Sequence, residues 1–194
     1  MAIVVVGGQS RNVGKTSVVE GLIRGLAQMR WTAIKVEPCG ETGGLAVAVS
    51  EEKDGGSGTD SSRFLAAGAV RSLWVRTRTG DLTEAMPVIH KELEAAENVI
   101  IESNSILRFL QPDIYLSVLD PVGADFKQSA RQYLGRADAV LVPEGVMGGT
   151  EWKGVSLKLA EGTPVLAMRP PGYVTEEILE FVRARIERPF STRG

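Results

Sequence analysis

The most constraining feature of this chain lies at residues 4–23, VVVGGQSRNVGKTSVVEGLI. An apolar run enters a glycine-containing turn, and Gly14-Lys15-Thr16 then opens a segment with apolar residues at helical spacing. A short, continuously apolar stretch bounded by glycines predicts a strand buried on both faces, so a helix directly after it predicts a strand–loop–helix unit. The order repeats down the chain. Runs rich in Val, Ile and Leu recur at residues 2–6, 31–36, 70–77, 98–102, 113–119, 139–142 and 163–168, and helical periodicity fills 15–29, 60–68, 82–97, 124–134, 151–160 and 175–187. Alternation of this kind predicts an α/β fold, doubly wound, with a mostly parallel seven-stranded sheet and helices on both faces. We expect a single domain over residues 1–194, since 43% hydrophobic residues suffice for one sizeable core. The stretch from Pro38 to Thr59 is too long and too rich in glycine for a simple connection, and predicts a functional or moving loop.

The first loop carries chemistry. The phosphate-binding pattern G-x-x-x-x-G-K-[ST] wants a glycine at position 9, but Gln9 stands there and the glycine is Gly8. In a sheet of this type ligands bind beyond the carboxyl ends of the strands, which is where Gly8, Gln9, Ser10, Arg11, Asn12, Val13 and Gly14 fall. Backbone N–H groups, the positive end of the following helix and the Lys15 ammonium suit a phosphate, while Thr16 and Ser17 offer hydroxyls, that of Thr16 to Mg²⁺. The expected ligand is a nucleoside triphosphate, ATP or GTP, with Mg²⁺.

Further candidates come from strand ends. Glu102 follows NVII and emerges beside the loop, either as a metal-linked acid or as a surface carboxylate. Lys35 closes the second strand, where its ammonium either reaches the same edge or snorkels to solvent, and Glu37 follows it. Asp60 precedes a helical stretch and reads as a metal-linked acid or as a helix cap. His90, the only histidine, sits among the apolar positions Val88, Ile89 and Leu93 as a surface residue, and Cys39, the only cysteine, reads as an inert thiol. A lone cysteine excludes an internal disulfide and a cysteine metal cluster. With 22 basic against 24 acidic residues, no nucleic-acid partner is expected. No apolar run reaches the roughly 20 residues of a membrane span, so a cytoplasmic protein with no membrane partner is expected.

The G-x5-G-K-T loop resembles that of dethiobiotin synthetase and the cobyrinic acid synthases. GTDSSRFLAAGA at residues 58–69 resembles the G-K-D-S-x-R-x-x-x-A-G-A signature of the B-type protein of molybdopterin-guanine dinucleotide biosynthesis, and TAIKVEPCG at 32–40 its second strand end. The resemblance covers about the first 120 residues. Two positions depart from it: Val36-Glu37-Pro38 stands where those proteins carry histidines, and Ile101-Glu102-Ser103-Asn104 where they continue VEGF. It implies a P-loop NTPase with slow hydrolysis acting as an adaptor in cofactor biosynthesis, or a carboxylate-activating enzyme. The implied partners are a cofactor-biosynthesis protein or a small acidic substrate, and a homodimer is the assembly expected. It implies roles for Lys15, Lys35 and Glu102 in catalysis, for Thr16, Asp60 and Glu102 at the metal, and for Arg63 near the phosphates. The base would lie between the ends of the sixth and seventh expected strands, at Pro143, Glu144, Arg169 and Pro170.

Overall fold

A computed structural model describes residues 1–38, 47–56, 58–77, 82–120, 126–145, 151–152, 155–156 and 162–187. The strands are β1 (Ile3–Gly8), β2 (Trp31–Pro38), β3 (Val47–Glu51), β4 (Arg71–Thr77), β5 (Asn98–Glu102), β6 (Ile114–Val118), β7 (Ala139–Pro143), β8 (Glu151–Trp152), β9 (Val155–Ser156) and β10 (Val165–Met168). The α-helices are α1 (Lys15–Gly25), α2 (Asp60–Ala66), α3 (Met86–Ala95), α4 (Gln128–Tyr133) and α5 (Glu176–Ile186).

Eight strands form one sheet in the order β10-β7-β6-β1-β5-β2-β4-β3, parallel except for β3, which runs antiparallel to β4. This is the P-loop NTPase fold. Its central strands are apolar throughout because successive side chains enter different cores. Val4 and Val6 pack with Val18, Leu22, Phe64 and Ile178 of α1, α2 and α5. Val5 packs on the other face with Met86, Ile89 and Leu93 of α3. Burying both faces removes the polar half of the usual strand alternation.

Two expectations change. The sheet has eight strands, not seven, because Val47–Glu51 in the glycine-rich stretch pairs with β4 as an edge strand, its side chains half-buried to exposed. A strand with one face open to water lacks the continuous apolar run that marks the others. The segment is further tied down where Thr59 Oγ1 and Ser61 Oγ donate to Glu52 Oε1 at 2.8 and 2.5 Å. Residues 39–46 and 57, with Cys39 among them, lie outside the described residues. The helix expected over 151–160 is replaced at its start by a two-residue antiparallel pair, Glu151 opposite Ser156 and Trp152 opposite Val155. Trp and Val favour strands, and Gly154 between them weakens a helix. No helix among the described residues is long and apolar enough to cross a membrane.

Candidate functional site

The parallel register sets the site. Val6 of β1 lies opposite Glu102 of β5, and Glu102 lies opposite Lys35 of β2, so three strand ends meet at the carboxyl edge where the loop turns into α1. A cleft of about 690 Å³ opens there, lined among others by Arg11, Asn12, Lys15, Thr16, Lys35 and Asp60.

The loop is built by small residues and two carboxamides. Gly14 takes a left-handed backbone, φ 102°, which turns the chain into α1, and a side chain there would meet the ring of Tyr173. Gly8 leaves room for the stem of Lys15, whose carbons pass 3.0 Å from where a Cβ would stand. The Lys15 ammonium closes back on the loop and donates to the Ser10 carbonyl at 2.7 Å. Burial pushes Lys15 below its ordinary pKa of 10.5, with Lys127 and Lys35 acting in the same direction against Glu102 and Asp60.

Gln9 does not line the cleft. Its side chain, 0% exposed, donates from Nε2 to the Asp120 carbonyl and accepts at Oε1 from the Asp120 N–H, both at 2.8 Å. Asn104 mirrors it on the other side of β1. Its Oδ1 accepts from Gly8 N–H at 2.9 Å and its Nδ2 donates to the Gly8 carbonyl at 2.8 Å. A side-chain carboxamide carries the same donor and acceptor as a peptide unit. The last backbone rung from β5 is Ser103 N–H to the Val6 carbonyl, and Asn104 supplies the next one. Gln9 N–H donates to the Val118 carbonyl, and its side chain then extends the pairing to Asp120. Both carboxamides thus prolong the sheet beyond its strand ends and anchor the loop on each flank. Gly7 is forced by the same arrangement, since a Cβ would collide with Asn104 Oδ1.

Beyond the loop lies a compact ionic cluster. Thr16 Oγ1 donates to Glu102 Oε2 at 2.9 Å. The Lys35 ammonium is 2.5 Å from Asp60 Oδ2, 3.2 Å from both Glu102 oxygens, 3.4 Å from Glu37 Oε1 and 3.5 Å from Thr16 Oγ1. Burial alone would lower the Lys35 pKa, but Glu102, Asp60 and Glu37 together raise it above 10.5. Burial would raise the Asp60 carboxyl, and Lys35 and Arg63 outweigh it and hold it below its ordinary value. Lys35 is 5% exposed and Glu102 6%, so neither is a surface side chain. Asp60 is not the cap of α2 either; Thr59 is, its Oγ1 accepting from Ser62 N–H at 3.0 Å.

The remaining candidates are placed differently. Arg63 lines the cleft, but its guanidinium forms a fork with Glu20 of α1, at 3.0 and 2.8 Å, and reaches Asp60 Oδ1 only at 3.4 Å. Val13 packs against Gly8 and does not line the cleft. Pro143 and Arg169 do not line it either, and Arg169 pairs with Glu144 at 2.8 Å on the exposed ends of β7 and β10. His90 is an exposed residue of α3.

Asn104, Lys127 and Tyr173 are among the lining residues that the sequence did not assign to the site. Asn104 carries the anchoring just described. Lys127 precedes α4, and its backbone N–H donates to the Gln9 carbonyl at 2.7 Å. Tyr173, at φ 57°, follows β10 and its ring stands over Gly14. Only Asn104 had a local signal, two residues after a strand-end acid; the other two are brought in by the fold.

No protein-family model matches the chain, and no curated protein matches it by sequence. Among solved structures the chain is similar to HypB from Helicobacter pylori, crystallised in complex with nickel, at a TM-score of 0.53 and 17% identity. The match covers 94% of this chain and 86% of that one, and at this identity it bears on the fold alone.

Proposed function

We propose that the protein binds a nucleoside triphosphate with Mg²⁺ and hydrolyses it slowly. The observation that carries this reading is the Thr16 hydroxyl, the first after the loop lysine, held 2.9 Å from the buried Glu102 carboxylate. A hydroxyl and an acid at the foot of such a loop form the protein's share of a Mg²⁺ site, the rest being phosphate and water. The donor chemistry fits that ion. The groups are hard oxygens, and among the described residues no three His, Cys, Asp or Glu side chains form an all-protein metal cage. Thr16 and Glu102 would hold the ion, with Asp60 acting through water. When bound, Mg²⁺ neutralises charge developing on the β- and γ-phosphates.

The chain's own residues do the remaining work. Lys15 exchanges the Ser10 carbonyl for phosphate oxygens, a stronger charge-assisted contact. The N–H groups from Ser10 to Thr16 supply a preorganised anion cradle at the start of α1. Slow turnover is supported by the resemblance of the loop. The acids that line the cleft, Glu37, Asp60 and Glu102, are all engaged by Lys35 in the nucleotide-free chain. An adaptor role in cofactor biosynthesis is supported by the 58–69 signature, which supplies both the α2 cap and Asp60.

Arg11 and Lys127 favour a second reading, an ATP-dependent carboxylate-activating enzyme. Both line the cleft, and among the described residues neither has a carboxylate within ion-pair distance, which suits an acidic second substrate. ATP turnover that appears only when a small carboxylic acid is added selects that reading.

Calorimetric titration with ATP and with GTP in Mg²⁺ tests the first. Lys15→Ala should weaken binding by roughly 1.5–3 kcal/mol, about 10- to 150-fold, as expected for loss of a hydrogen bond to a charged group. Equal affinity in parent and variant removes the loop from the account.

A further inference from the structure

We propose that Lys35 is a built-in cation that holds the divalent-ion position while no nucleotide is bound, so that free Mg²⁺ is excluded and the metal enters only together with a triphosphate. The inference rests on the nucleotide reading above and concerns the order in which that site fills.

The geometry is that of an occupied cation site. One ammonium touches four side chains from four separate elements: Thr16 at the start of α1, Glu37 on its own strand, Asp60 at the start of α2 and Glu102 at the end of β5. These include every acid that lines the cleft and the hydroxyl assigned to the metal. A surface lysine pairs with one carboxylate and leaves its remaining donors in water. Here the ammonium is buried and its donors are spent on the oxygens a divalent ion would need.

Coexistence is excluded by charge. Mg²⁺ bonds oxygen at about 2.0–2.1 Å, so an ion on Glu102 and Thr16 would lie within a few ångström of the present Lys35 nitrogen. Repulsion between a monovalent and a divalent cation at that range, away from bulk water, is severe. The ammonium must therefore leave when the metal arrives. Free Mg²⁺ offers it no new partner, and the three carboxylates cannot follow it. A triphosphate brings anionic oxygens with the metal, and the four-carbon lysine stem lets the nitrogen swing onto them. Exchange is charge-balanced only with the metal–nucleotide complex. Lys35 then acts as a positioning residue in both states, first on the acids and then on the phosphate.

The test uses Mn²⁺ as probe, followed by electron paramagnetic resonance on the full chain without nucleotide. The parent should bind no Mn²⁺ in the micromolar range, whereas Lys35→Met, which removes the charge and keeps the stem, should bind one ion at least about tenfold more tightly. A second measurement needs no variant. The ¹⁵N resonance of the Lys35 ammonium in the parent should be unmoved by Mg²⁺ alone and should shift when Mg²⁺ and ATP are added together. Tight Mn²⁺ binding by the nucleotide-free parent overturns the proposal. So does a folded Lys35→Met that gains no affinity, or a lysine resonance unmoved while calorimetry registers ATP binding. Absence of ATP binding to the parent would overturn the nucleotide reading and this inference with it.

Discussion

Replacing Asn104 with Ala should cost well beyond the range of an ordinary surface substitution, although the residue need never touch a ligand. Its carboxamide makes two hydrogen bonds to Gly8, at 2.9 and 2.8 Å, and Gly8 is buried. Each bond contributes about 1 kcal/mol net, and a buried N–H or C=O left without a partner costs about 1–3 kcal/mol. If water reaches one of the two exposed groups and not the other, the loss is about 2–4 kcal/mol. For a domain of this size that corresponds to a fall in melting temperature of roughly 4–16 °C. The loop should lose its anchor on the β5 side as well, so ATP affinity should fall beyond any effect of global unfolding. Urea unfolding monitored by circular dichroism gives the first number, and calorimetry at a temperature where both proteins are folded gives the second. Asn104→Asp separates geometry from chemistry, because it keeps the acceptor for Gly8 N–H and faces the Gly8 carbonyl with a second oxygen; it should be as damaging as Ala near neutral pH. A stability loss under about 0.5 kcal/mol for Asn104→Ala, the range of an ordinary surface substitution, would refute the reasoning that the carboxamide completes the ladder.

Other expectations follow from single residues. Gly14→Ala should weaken the loop twice over, through its left-handed φ of 102° and through contact with Tyr173, so Gly14→Ala combined with Tyr173→Ala should be less damaging than the sum of the two in a double-mutant cycle of melting temperatures. Additive losses would mean the ring gives way freely. Asp60 is held below its ordinary pKa of 3.8, so its pairing contributes fully above that value and is lost as pH falls through the lower folded one. The melting-temperature gap between parent and Asp60→Asn should accordingly stay level from about pH 7 to 5 and close below about pH 4; a gap that widens on acidification would contradict the ion pair. Gln9→Glu replaces a donor to the Asp120 carbonyl with a buried carboxylate whose folded pKa must rise, so that variant should lose stability progressively between about pH 5 and 8, and a deficit independent of pH would place the side chain elsewhere.

The fold was largely legible because its evidence is local. Continuous apolar runs such as Val99–Ile101 are what a strand looks like when both its faces are covered, and seven of the eight sheet strands were readable as segments rich in Val, Ile and Leu. Val47–Glu51 did not. It is an edge strand with an open face, set among glycines that read as a loop, and only its pairing with β4 makes it a strand. The helix expected from residue 151 is displaced for a related reason: its apolar residues fit helical spacing, while Trp152 and Val155, among the described residues there, take extended backbone and pair with each other.

The site divides along a similar line. Residues adjacent in sequence to the loop were readable, and the meeting of Lys35 and Glu102 at one sheet edge was one of two readings that the strand ends allowed, decided by the order β1-β5-β2. How their charges balance was not. Lys35 and Asp60 are 25 positions apart, Lys35 and Glu102 are 67, and no local pattern says that one ammonium will serve both. The unusual spacing of the loop, by contrast, has a structural answer in a residue that looked like the misfit. Gln9 occupies the place of the customary first glycine, yet its backbone still continues β1 against Val118. A glycine there could make that backbone bond but not the two carboxamide bonds to Asp120 that fix the loop to the end of β6. The requirement for a residue without a side chain is displaced by one position, onto Gly8, because that is where the stem of Lys15 crosses the backbone. Four positions thus still separate Gln9 from Gly14, while the residue at position 9 carries the pairing of β1 with β6 one hydrogen bond further.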